Sequence, residues 1–160
     1  MYDGEGIIDK ETLKEGVKDA TALVSLLSTN VDKDVIDSGK NLKIITNYGA
    51  GFNNVDVDYA REKDIDVTNT PKASTNATAD LTIGLILSVA RRIVEGDELS
   101  RTKGFDGWAP LFFRGREVSG KTIGIIGLGE IGGAVAKRAR AFDMDVLYTG
   151  PHLSLIHISE

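Results

Sequence analysis

Apolar positions along this chain fall into short runs set between polar stretches of helical spacing. Residues 22–27 (ALVSLL), 42–46 (LKIIT), 65–68, 122–126 and 145–149 (DVLYT) are such runs. Their length and their Val, Ile and Leu content predict strands, with 122–126 buried on both faces. Between the runs, apolar residues recur three and four apart. Asp9 caps a predicted helix over 10–18 that places Leu13 and Val17 on its inner side. A second helix covers 32–38 and closes on Gly39 in the left-handed region, and Asp56 caps a third over 57–63. Strands alternating with helices imply βαβ units, hence an α/β fold with an open, mostly parallel sheet.

Two longer segments complete the pattern. Pro71 holds Thr70 extended, and Thr75 or Asn76 then caps a long helix over 77–92. Leu81, Ile83, Leu85, Ile86, Leu87 and Val89 place apolar groups nearly all round it, which predicts burial between layers. Gly84 lowers its helix propensity by about 1 kcal/mol relative to alanine and leaves room for a closely packed partner helix. Residues 96–120 are broken by Gly104, Gly107, Pro110, Gly115 and Gly120, and read as irregular, with Trp108 as a packing anchor. Residues 2–8 are too short and polar to assign.

The candidate chemistry lies where strands end. After 122–126, Gly127, Gly129 and Gly132 follow at G-x-G-x-x-G spacing and AVAKRARAF continues at helical spacing. Glycines also end strands for ordinary steric reasons, but the position between strand and helix is the context of a dinucleotide site. Gly127 makes the turn, Gly129 admits a pyrophosphate to the backbone, and Gly132 lets helix and strand pack closely. The new helix aims its free N–H groups and about half a positive charge at that pyrophosphate. A second loop, Asn47-Tyr48-Gly49-Ala50-Gly51-Phe52-Asn53-Asn54, follows the second strand. It is either a flexible turn or a site whose free N–H groups face an anion beyond the carboxyl end of the sheet.

Composition narrows the function classes. A net charge of −5 with no basic run argues against nucleic-acid binding. No apolar run reaches the roughly 18 residues of a membrane span, and no signal-peptide pattern follows Met1. The absence of cysteine excludes disulfides, thiolate metal sites and cysteine nucleophiles, which makes the cytoplasm the default location.

Three stretches then coincide in order: YGAGFNNVD at 48–56, VTNTPKASTNATADLT at 67–82 and GKTIGIIGLGEIGGAVAKRARAF at 120–142. Together they resemble the D-isomer-specific 2-hydroxyacid dehydrogenase family, which includes glyoxylate/hydroxypyruvate reductases and D-lactate and 3-phosphoglycerate dehydrogenases. The resemblance implies an incomplete flavodoxin-like substrate or lid domain over 1–75, its first strand falling ahead of Tyr2. An interdomain helix over 76–96 and the first βαβ of a Rossmann coenzyme domain over 97–152 follow. It implies a small 2-oxo or 2-hydroxy acid bound at Gly49, Ala50 and Gly51. It also implies NAD(P)H held by Gly127, Leu128, Gly129, Glu130, Ile131 and Gly132, with Thr78 near the nicotinamide and Thr149 and Gly150 near the ribose. The family usually carries glutamate where this chain has Asp80.

The same resemblance places the family's catalytic arginine, carboxylate and histidine downstream of this sequence. His152 and His157 match no catalytic context, so no catalytic residue and no metal site is assigned within the chain. The expectation is a piece of an oxidoreductase that is inactive alone, from a parent that forms a homodimer. No carboxylate stands at Gly150 to repel a 2′-phosphate, and Thr149 and His152 can donate there, so the coenzyme reading tilts to NADP(H). Residues 153–160 (LSLIHISE) resemble translated adapter sequence and are expected not to be native. Two other readings compete: a corepressor-like nucleotide-sensing module on the same fold, and a non-functional truncated product with exposed strand edges.

Overall fold

The computed structural model describes residue 4 and residues 6–150. The chain divides into two compact units, Met1–Ala73 and Ser74–Glu160. The expectation about residues 153–160 lies outside the described residues, as do His152 and His157.

The first unit is a three-stranded parallel sheet with helices between the strands. In chain order its elements are α1 (Lys10–Val17), β1 (Ala22–Leu26), α2 (Lys33–Ser38), β2 (Ile44–Tyr48), α3 (Val57–Glu62) and β3 (Asp66–Thr68), with strand order β1-β2-β3. Asp9, Asp32 and Asp56 each cap a helix by accepting from the N–H three residues on. Ile45 pairs in register with Leu23 and Val67, and is fully buried among Leu13, Val17, Val35, Ile36 and Ile65. Lys10 bridges Asp32 and Asp34 at 2.8 and 2.6 Å, and its ammonium holds the Asp32 carboxyl below the ordinary value. The opposite sheet face is open, with Val24 and Tyr48 exposed.

Two sequence expectations shift here. Strand β2 begins at Ile44, not 42, because Leu42 packs into the core from a turn in which its N–H donates to Gly39 O at 3.0 Å. Gly39 is not left-handed (φ −91, ψ 75). Space favours the glycine instead, since a Cβ would lie 3.1 Å from Leu42 Cβ and 3.3 Å from Val17 O, tighter than ordinary contact.

The second unit contains α4 (Thr75–Ala90), α5 (Ile93–Thr102), β4 (Thr122–Ile126), α6 (Glu130–Arg140) and β5 (Asp145–Thr149), with β4 and β5 parallel. Ala79 and Ile83 of α4 meet Val135 of α6 in the core, and Arg138 Nε reaches Asp80 Oδ1 at 2.6 Å. Ser74 replaces Thr75 or Asn76 as the cap of α4 and makes no side-chain bond to it. The expected all-round burial of α4 is not found: Leu81, Leu85 and Val89 are exposed. Strand β4 is likewise covered on one face only, by α4 and α6, which leaves Ile126 outside. Helix α5 occupies a stretch that read as irregular. Its exposed i,i+4 ion pair between Arg101 and Asp97 (2.8 Å) supports the helix, and the missing Cβ of Gly96 makes room for Phe113. Trp108 is 81% exposed and anchors nothing among the described residues.

Candidate functional site

The loop after β2 is shaped by asparagines. Asn47 sits on the inward row of β2 and is completely buried. Its Oδ1 accepts from Ser25 Oγ at 2.9 Å, and its Nδ2 donates to Gly51 O at 2.7 Å and to Asn54 Oδ1 at 3.0 Å. The Asn54 amide returns a bond to Asn47 Oδ1 and reaches Leu26 O and Thr29 O at 3.0 and 2.9 Å. Farther along, Asn69 Nδ2 donates to Ala50 O at 2.8 Å and Thr70 N–H to Gly49 O at 3.0 Å. The carbonyls of Gly49, Ala50 and Gly51 are therefore all held by named donors.

In a trans peptide the N–H points opposite to the carbonyl before it. Holding those three carbonyls turns the N–H groups of Ala50, Gly51 and Phe52 away from their anchors, and none of the three donates to a partner among the described residues. Of the residues that the sequence reading placed in this loop, Ala50 and Gly51 have N–H groups with no partner among the described residues. Gly49 differs, because its N–H already donates to Asn47 O at 2.9 Å. Its contribution is close approach, since a Cβ there would stand 2.5 Å from Leu27 Cδ2.

The glycine turn joins β4 to α6. Gly127 is left-handed (φ +90), and its N–H donates to Thr149 O at 2.7 Å, which carries the β4–β5 ladder one residue past the strand. Gly129 is the N-cap of α6 and has no atom within 4 Å of a Cβ. Gly132 is the steric constraint: a Cβ would overlap the Gly127 carbonyl oxygen and lie 3.3 Å from Ile125 Cγ2. The first helical hydrogen bond runs from Gly133 N–H to Gly129 O at 2.8 Å. The N–H groups of Leu128, Gly129 and Ile131 accordingly have no acceptor among the described residues, at the positive end of an eleven-residue helix. Glu130 lies in the first turn, where its charge favours the helix.

Beside the turn, a cleft of about 430 Å³ runs along β4 and is lined by Thr82, Ile86, Ile123, Ile126 and Ile131 among others. It carries apolar walls and no charged group. Thr78 lies one turn before Thr82 on α4 and is not among the lining residues. Thr149 and Gly150 are both exposed at the end of β5, close in sequence to the ladder bond that Thr149 O accepts. Sequence reasoning missed Asn47, Asn54, Asn69 and Ser25. The only cue was two asparagines bracketing the YGAG loop, and an amide within a strand reads as outward-facing. Among the described residues no acid or histidine cluster could hold a metal, and no helix is long and apolar enough to cross a membrane.

The family model described as "D-isomer specific 2-hydroxyacid dehydrogenase, catalytic domain" matches residues 3–156. A protein of Staphylococcus epidermidis (strain ATCC 12228 / FDA PCI 1200) named "Putative 2-hydroxyacid dehydrogenase" is 88% identical over 152 residues, covering 95% of this chain and 48% of that protein. The crystal structure of TT0316 protein from Thermus thermophilus is 40% identical, with a TM-score of 0.87 over 95% of this chain and 49% of that one. D-Lactate dehydrogenase from Aquifex aeolicus, complexed with NAD and lactic acid, is 26% identical with a TM-score of 0.77, covering 89% and 42%. The chain thus spans about half the length of the relatives it matches. By its sequence and its two parallel α/β units, this chain belongs to the D-isomer-specific 2-hydroxyacid dehydrogenase family.

Proposed function

We propose that this chain carries the carboxylate-binding loop and the coenzyme-binding turn of an oxidoreductase. That enzyme moves a hydride between NAD(P)H and a small 2-oxo or 2-hydroxy acid of D configuration, with glyoxylate or hydroxypyruvate as substrate. The observation that carries the reading is the glycine turn. Gly132 admits α6 against the Gly127 carbonyl, and the N–H groups of Leu128, Gly129 and Ile131 have no acceptor among the described residues, as a pyrophosphate requires. The coenzyme would supply the hydride from C4 of its nicotinamide. The N–H groups of Ala50 and Gly51 would hold the substrate carboxylate, and so orient the carbonyl that is reduced. Residues 1–75 would then be the substrate domain and 97–152 the start of the coenzyme domain, with 76–96 between them; that stretch is not the single helix expected, because α4 ends at Ala90 and α5 begins at Ile93 after the left-handed Arg92. No side chain here is assigned the proton transfer, so the 160-residue chain alone is expected not to turn over.

Oxidation of NADH and NADPH at 340 nm, with glyoxylate and with hydroxypyruvate, tests this reading. A full-length enzyme carrying the sequence should be active and this chain silent; activity of the chain alone would show that the proton donor has been missed. At the end of β5 the exposed Thr149 and Gly150 put no carboxylate where a 2′-phosphate would sit. NADPH is therefore expected to bind more tightly than NADH, by about threefold without an arginine clamp. A clear NADH preference would overturn the coenzyme assignment and leave the reaction standing.

The exposed stripe of α4 supports a homodimer. Leu81, Leu85 and Val89 recur every fourth residue, and Gly84 beside them has no atom within 4 Å of a Cβ, so a second helix can approach closely. Leu85→Asp is expected to shift the full-length enzyme from dimer to monomer in sedimentation velocity. A dimer of unchanged affinity would remove α4 from the interface.

A further inference from the structure

The inward row of β2 should be apolar throughout, yet after Ile45 it places the fully buried Asn47. Burying an amide costs free energy unless every donor and acceptor is matched. Here all are. Ser25 Oγ and the Asn54 amide satisfy Oδ1, while Gly51 O and Asn54 Oδ1 receive Nδ2. Ser25 faces Asn47 in the β1–β2 register and is itself buried, so the sheet sets the amide's orientation. A leucine in this slot would fill the core, but it would leave Gly51 O without this donor. The amide therefore does something packing alone does not require: it fixes the peptide plane between Gly51 and Phe52. Asn54, clamped to Leu26 O and Thr29 O, fixes the far end of the same loop.

We propose that Asn47, locked by Ser25 and Asn54, is a positioning residue for 2-oxo-acid binding. Its bond to Gly51 O sets the Gly51–Phe52 peptide and so aims the Phe52 N–H at the substrate carboxylate, beside the Ala50 and Gly51 N–H groups that Thr70 and Asn69 aim through Gly49 O and Ala50 O. Asn69 holds the Ala50–Gly51 peptide separately, so the contribution of Asn47 is the Gly51–Phe52 peptide, whose Phe52 N–H becomes a third donor. The inference rests on the dehydrogenase reading above. It adds the groups that organise the anion site and predicts which kinetic constant they govern.

The test is Asn47→Asp in a full-length enzyme carrying this sequence, because the substitution keeps the shape and removes the donor to Gly51 O. KM for the 2-oxo acid should rise about tenfold, and the dissociation constant of the reduced coenzyme should stay within about twofold. Oxamate, a carboxylate-bearing analogue, should lose affinity in parallel with the substrate. A purely structural role would weaken oxo acid and coenzyme together, and that outcome overturns the proposal, as does an unchanged KM. If Asn47→Asp does not fold, Ser25→Ala loosens the same amide without placing a charge in the core. It should raise KM about threefold at an unchanged coenzyme affinity, and no rise would overturn the proposal. Wild-type enzyme inactive on every 2-oxo acid would instead refute the dehydrogenase reading, which separates the two failures.

Discussion

Gly132→Ala should cost the second unit about 3 kcal/mol and weaken coenzyme binding at least tenfold. The reason is contact with backbone, which cannot rotate away. The added methyl would overlap the Gly127 carbonyl oxygen and press on Ile125 Cγ2, so α6 must move off β4 or the turn must open. Either movement displaces the N–H groups at the head of the helix. Gly129→Ala provides the contrast. No atom lies within 4 Å of a Cβ there, and an N-cap Gly→Ala change costs about 1 kcal/mol or less. That variant should fold with a nearly unchanged melting temperature, yet bind coenzyme about tenfold more weakly, because its methyl occupies the approach of the pyrophosphate. Thermal unfolding and coenzyme fluorescence titration of both variants in the full-length enzyme read the two effects separately. Undiminished coenzyme affinity in Gly129→Ala would mean that the turn is a steric device and binds no phosphate.

What could be read in the sequence followed from short-range rules. Strands β4 and β5 were legible to the residue and a helix between them was legible without its bounds, because glycine spacing, β-branched runs and helical periodicity agree over 121–149. Asp9 and Asp56 were legible as caps for the same local reason. The failures share a different cause. Leu42 is apolar because a turn carries it into the core, and the exposure of Leu81, Leu85 and Val89 depends on what stands opposite α4. Periodicity says that a face is apolar and nothing of what covers it. Asn47 is the extreme case, since hydropathy places an amide outside while three partners more than three residues away in sequence place it inside. The loop after β2 was thus visible as a glycine pattern, but the amides that hold its carbonyls were not.

Ile45→Ala should open the first unit and leave the second closed. Ile45 is completely buried in the central strand, between Leu23 and Val67, and a cavity of this kind costs about 3–4 kcal/mol. A unit of this size has a total stability of only about 4–10 kcal/mol, so the loss is a large part of the whole. The cores are distinct clusters: Leu13, Val17, Val35 and Ile65 surround Ile45, whereas Ala79, Ile83 and Val135 belong to the other unit. Hydrogen exchange on this chain reads the two separately. Amides of β1 and β2 should lose about a hundredfold or more in protection, while those of β4 and β5 stay within about threefold. Equal loss in all four strands would mean that the units unfold as one, and unchanged protection in β1 and β2 would mean that the first core has a different centre. The outcome also bears on the loop after β2, because Asn47 lies on the same strand two residues beyond Ile45. A first unit that opens on its own carries its carbonyl anchors with it, so in the full-length enzyme this variant should lose oxo-acid binding before coenzyme binding.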